Sequence, residues 1–148
     1  MSDVPMEAAA AQRRAERVVQ GMLARDEFSR WLGLEVAELV PGRCGCRMTV
    51  REEMVNGFGV AHGAIVFALA DSALAFASNA NGRITMSIEN RISYPAPVRP
   101  GDRLSALTLE ESVTNRLGFY LVRVTNQQGR LVGLFQGTVY RTAEEHPA

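Results

Sequence analysis

The chain contains no lysine: all sixteen of its basic residues are arginine, and sixteen acidic residues balance them. Without lysine there is no Schiff-base amine and no P-loop cation for a nucleotide phosphate. A formal net charge of zero removes any broad attraction for nucleic acid or an anionic membrane, so neither is expected as a partner. Any phosphate contact has to be local. Cysteine is scarce as well. Cys44 and Cys46 are the whole supply, and two residues of separation close too short a loop for an unstrained disulfide. The two histidines, His62 and His146, lie far apart, so no zinc ligand set is legible and no metal is expected. The start of the chain lacks an apolar signal core, which makes the cytoplasm the expected compartment.

What is present suits one globular domain: 148 residues, 47% hydrophobic and 22% charged. Residues 1–25 read as a helical extension, with Val18, Val19, Met22 and Leu23 at helical spacing. A short helical piece over 26–31 follows, and its Phe28, Trp31 and Leu32 are expected to pack down on the domain. Leu34–Leu39 and Arg43–Arg51 read as a hairpin about Val40-Pro41-Gly42. In its second strand Cys44, Cys46, Met48 and Val50 share one face, which assigns the cysteines to core packing. Four further strands are expected near 84–94, 103–113, 118–126 and 130–141, then a polar tail over 142–148. No crossover helix separates these four, so the sheet is antiparallel.

Between the hairpin and the four strands lies Ala64–Ala80, an apolar run with one ionisable residue, Asp71. It falls short of the roughly 20 apolar residues of a membrane span, and a central acid would be costly there. A soluble helix this apolar has to be covered by protein, which implies a sheet wrapped around it. Gly57, Gly59 and Gly63 have the wrong spacing and surroundings for a dinucleotide fingerprint. Gly63 instead opens the helix, where unpaired N–H groups and the positive dipole end suit a developing oxyanion. Asp71 is costly to bury, so it is either paired structurally or kept for catalysis. His62, just before the helix, is either a general base or a helix-entry hydrogen-bonding group.

Asp71 lies eight residues beyond Gly63, about 12 Å along a helix at 1.5 Å per residue. One carbonyl group cannot meet both ends of that separation when attacker and N–H donor each need to be roughly 3 Å away. Two antiparallel copies of the helix could supply both, which points to a homodimer with two shared sites.

The run Asn56-x5-His62-Gly63-x7-Asp71 within NGFGVAHGAIVFALADSALAFASNA resembles the PaaI-type hotdog-fold acyl-CoA thioesterases. WLGLEVAELVPGRCGCRMTV is similar to that family's first hairpin, and SIENRISYPAPVRPGDRL to its strand, proline-containing link and Gly-Asp step. The resemblance spans residues 26–141. It implies an α+β hotdog fold, an antiparallel sheet wrapped around one long central helix, over that range. It also implies roles: Asp71 as nucleophile or general base, the Gly63 N–H polarising the thioester carbonyl, Asn56 and His62 organising the loop or binding substrate and water, and Ser87 assisting the water. The family's His-Gly-Gly is here His62-Gly63-Ala64, and a narrower acyl pocket is the expected consequence. The substrate is expected to be an acyl-CoA, with aryl-acetyl groups such as phenylacetyl leading, and no cofactor beyond the coenzyme A of the substrate. Arg91, Arg99, Arg103 and Arg116 are the candidates for its phosphates. By resemblance the dimers pair into a tetramer. The competing readings are a hydratase or dehydratase on the same fold, with His62 and an acid moving protons, and a non-catalytic acyl-CoA-binding protein.

Overall fold

A computed structural model describes residues 4–148. Helix α1 (Val4–Ala24) leads into α2 (Glu27–Leu32), and the hairpin β1 (Glu35–Val40) and β2 (Arg43–Thr49) follows. A single 3-10 turn, Glu52–Met54, and a loop then reach α3 (Gly63–Asn79). The chain ends in β3 (Arg83–Ser93), β4 (Arg103–Val113), β5 (Leu117–Thr125) and β6 (Leu131–Glu145). All six strands form one antiparallel sheet in the order β1-β2-β4-β5-β6-β3. The sheet curls around α3, which touches β2, β3, β4, β5 and β6. This is the expected hotdog architecture.

The reason α3 sits inside is its composition. Leu69, Ala70, Ala73, Leu74 and Phe76 are almost entirely buried, and they meet Cys44, Cys46, Leu104, Val122, Val124 and Phe135 from the sheet. Two glycines of β6 let the helix come close. A Cβ on Gly133 would lie 2.8 Å from Val66, and one on Gly137 would lie 2.9 Å from Leu74. Ala15, Val18 and Val19 of α1 cover what the sheet leaves open. The helix stops where Gly82 takes a φ of 103° and donates its N–H to the Asn79 carbonyl.

Three expectations need correction. Leu32 is buried, but Phe28 and Trp31 are about half exposed. Their rings stack on each other, and the Arg51 guanidinium lies 5.2 Å from the Trp31 ring centre, so the apolar faces are covered locally instead of by the core. The polar tail expected from 142 is strand as far as Glu145. Arg83 pairs with Glu145, and the Thr142 hydroxyl donates to the Ile84 carbonyl at 2.8 Å, so β3 extends β6. His146, expected in the same tail, is half-buried with Nε2 2.7 Å from Asn79 Oδ1. Among the described residues no helix is long and apolar enough to cross a membrane.

Candidate active site

The loop ahead of α3 is held by its own hydrogen bonds. The Asn56 N–H donates to the Val60 carbonyl at 2.8 Å, and the Gly59 N–H to the Asn56 carbonyl at 3.1 Å. The Asn56 side chain closes the turn, its Oδ1 accepting from the Phe58 N–H at 2.9 Å. Val55 and Ala61 bridge across the loop, and the His62 N–H donates to the Met54 carbonyl. This clamps the point at which the chain enters the helix.

His62 is the N-cap of α3. Its Nδ1 accepts from the Ala64 N–H at 3.0 Å, which leaves the ring proton of the neutral side chain on Nε2. The N–H between them, that of Gly63, finds no acceptor among the described residues. It lies at the positive end of a 17-residue helix, where an anion is stabilised. The Gly63 carbonyl accepts from the Tyr94 hydroxyl at 2.9 Å. Tyr94 also explains the glycine, because a Cβ at residue 63 would stand 3.0 Å from that hydroxyl oxygen. Partial burial pushes the Tyr94 phenol above its ordinary value. An apolar pocket of about 260 Å³ opens beside Gly63, lined by Val60, Val66, Tyr94, Pro97, Val98 and Val132.

Asp71 lies further along α3 and faces β3. Its Oδ1 accepts from Asn90 Nδ2 at 2.9 Å and, more weakly, from Ser87 Oγ at 3.5 Å. Burial pushes the carboxyl above the usual aspartate value, and the two hydrogen bonds draw it partly back. Ser87 and Asn90 are three apart, so a regular strand would send them to opposite faces. The β3–β6 register slips between Ser87 and Glu89, where two steps of β3 match one of β6. That bulge turns both side chains toward Asp71. Asn90 pairs with Gly137, where a Cβ would lie 2.8 Å from Asn90 Oδ1; the glycine makes the space in which the amide sits.

The structure therefore brings Asp71 and Ser87 together, and Asn56, His62 and Gly63 into a second group at the helix start. The four arginines are dispersed. Arg91 lies on the outer face of the sheet, bonded to Gln136, beside a groove of about 510 Å³ that contains neither group. Arg99 is exposed in the link between β3 and β4, where its N–H donates to Asp102. Arg103 starts β4 and Arg116 sits in the following turn, both exposed. None of the four lines the pocket at Gly63. Among the described residues no three His, Cys, Asp or Glu side chains gather into a metal site. Asn90, Tyr94 and Gly137 escaped the sequence reading. A glycine inside the apolar strand pattern of 131–139 is the one signal that marks such a close approach.

Residues 58–133 match the model of the thioesterase superfamily. A putative esterase of Archaeoglobus fulgidus is 36% identical, over 89% of this chain and 86% of its own length. The acyl-coenzyme A thioesterase PaaI of Escherichia coli is 30% identical, over 86% of this chain and 91% of its own. The solved structure of the E. coli PaaI protein from the phenylacetic acid degradation operon superposes with a TM-score of 0.88 at 29% identity, covering 90% of this chain and 97% of that one. With the wrapped helix and the motif that opens it, these likenesses establish that the chain belongs to the thioesterase superfamily, as a hotdog-fold thioesterase of the PaaI type.

Proposed function

We propose that the protein hydrolyses acyl-CoA thioesters, aryl-acetyl esters foremost, in sites shared between two copies of the chain. The observation that carries this reading is the disposition of two groups on one helix. A free N–H marks its start, and a carboxylate with one engaged oxygen lies eight residues on. The Gly63 N–H would take the carbonyl oxygen of the thioester and stabilise the oxyanion as it forms. Asp71 would drive the attack, either by bonding to the carbonyl carbon itself or by taking a proton from an attacking water. By both routes the C–S bond breaks, the thiolate of coenzyme A takes up a proton, and one water is consumed for each acid released. Asn56 and His62 hold the loop that aims the N–H, and Ser87 would assist the water. The relationship to the E. coli protein of the phenylacetic acid degradation operon is what favours an aryl-acetyl group.

What supports a shared site is the way β3 tracks α3. Ser87 lies beside Asp71, and Tyr94 lies beside Gly63. β3 is also a sheet edge, paired with β6 alone, and it exposes Met86 and Ile88 at 58% and 60%. Unpaired edges of this kind invite a partner strand. A two-fold axis across β3 near residues 90 and 91, midway between the two levels, would bring the Gly63 end of one copy level with Asp71 of the other. Pairing of such dimers into a tetramer, and contacts of Arg91, Arg99, Arg103 and Arg116 with coenzyme A phosphates, belong to the same proposal.

The test is release of free thiol across a panel of acyl-CoA esters that includes phenylacetyl-CoA. Turnover by the native protein and its loss in Asp71→Ala are expected. Native protein that releases no thiol from any ester would end the hydrolase reading, and loss of enoyl absorbance without free thiol would favour the lyase.

A further inference from the structure

Asp71 has two oxygens, and the structure treats them differently. Oδ1 accepts two hydrogen bonds, from Asn90 and Ser87, whereas Oδ2 accepts none among the described residues. The stronger bond comes from Asn90, whose amide is brought to the helix by the bulge in β3 and housed over Gly137. On the other side of that amide, Oδ1 of Asn90 is buried without any partner. A buried, unsatisfied amide oxygen lowers stability, so the fold tolerates a loss in order to keep the Nδ2 donor at Asp71.

We propose that Asn90 is a positioning residue that pins one carboxylate oxygen of Asp71 and leaves the other to react. The inference rests on the hydrolase reading above. A carboxylate on a flexible χ2 presents either oxygen. A single amide donor on Oδ1 fixes the carboxylate plane and directs the Oδ2 lone pairs away from β3, toward the space where the thioester would lie. The weaker Ser87 bond leaves that hydroxyl free to turn toward a water. Asn90 also favours the ionised form of Asp71, which burial disfavours. The groups facing Asp71 from the packed elements are Ser87 and Asn90 of β3; no charged side chain among the described residues contributes to its ionisation.

The test uses Asn90→Leu, which keeps the volume and removes the donor, and Asn90→Asp, which keeps the shape and replaces the donor with a second carboxyl. With whichever ester the native protein cleaves, Asn90→Leu should lower kcat about tenfold or more, the scale of one hydrogen bond to a charged group. KM should stay within about twofold if the bond acts on the reacting carboxylate and not on ground-state binding. The acidic limb of its pH profile should move to higher pH, and that of Asn90→Asp further, because two adjacent carboxyls share a proton. An unmoved limb overturns the proposal, even if kcat falls, since packing alone would then explain the loss. A carbon NMR titration of Asp71 in unliganded protein separates this inference from the one beneath it. Its midpoint should rise in Asn90→Leu, and an unchanged midpoint overturns the Asn90 contact whether or not the protein turns over any ester. Absence of thiol release by the native protein, with the midpoint still shifting, would overturn the hydrolase reading and leave the hold on Asp71 standing.

Discussion

A carboxyl group in the middle of an apolar helix works against the fold that holds it. Burial raises the Asp71 value above that of the unfolded chain, so the native state binds the proton more tightly. The sign follows. Stability falls as pH rises from the unfolded value, about 3.9 for aspartate, through the raised native one, and the full loss is present above it. On the role in the attack proposed for Asp71, Asp71→Asn should lower turnover by roughly 10²- to 10⁴-fold, the scale of losing a positioned acid–base group; on the stability argument it should also raise the melting temperature at neutral pH. The gain should vanish as the pH is brought down to the ordinary aspartate range. Melting curves of the two proteins across pH decide it, and a variant less stable than the parent at pH 7 would refute the account. Asp71 was legible in the sequence because it is a single acid in an apolar run, and Gly63 because it opens that run. Asn90 and Tyr94 were not, because each meets α3 only through a geometry that appears when β3 lies against it. An asparagine in a polar strand carries no mark of the bulge that turns it inward.

At the scale of elements, periodicity located the helices and strands closely. β4 falls on 103–113 as expected, and α3 starts one residue earlier than its apolar run. The misses have local causes. Arg51 covering Trp31 replaced core burial in α2, and a strand partner at Arg83 carried β6 into residues that read as polar tail. The bulge in β3 and the glycine opposite it form one device, since Asn90 can turn inward only where β6 offers no side chain. Gly137→Ala should expose this. Its Cβ would lie 2.8 Å from Asn90 Oδ1 and 2.9 Å from a Leu74 methyl, both closer than a Cβ approaches a non-bonded neighbour. Overpacking of this kind costs about 1–3 kcal/mol. Urea denaturation should show a lower midpoint at an unchanged m-value, and a loss below about 0.5 kcal/mol would mean that Asn90 and Leu74 move aside freely.

For the whole molecule, the decisive matter is whether one chain holds a complete site. Gly63 and Asp71 are eight residues apart on a rigid helix, and a separation of about 12 Å cannot be closed by a side chain as short as aspartate. Substitutions that remove each group can be mixed. Gly63→Pro deletes the N–H at the first helical position, where proline is well accepted. The preceding His62, at φ −59° and ψ 136°, already has the extended conformation that proline demands of its neighbour. The ring would crowd the Tyr94 hydroxyl, 3.0 Å from a Cβ at this position, so Tyr94 has to give way and its bond to the residue 63 carbonyl is strained. Each homodimer, Gly63→Pro or Asp71→Ala, should be nearly inactive. After unfolding and refolding together at equal concentration, half the dimers carry one chain of each kind, and each of these joins one intact N–H to one intact carboxylate. About a quarter of the native activity should return, the share set by random pairing about a two-fold axis. If none returns although mixed dimers form, both groups serve within one chain. α3 would then have to bend or the substrate to span it, and the two-copy site would be wrong.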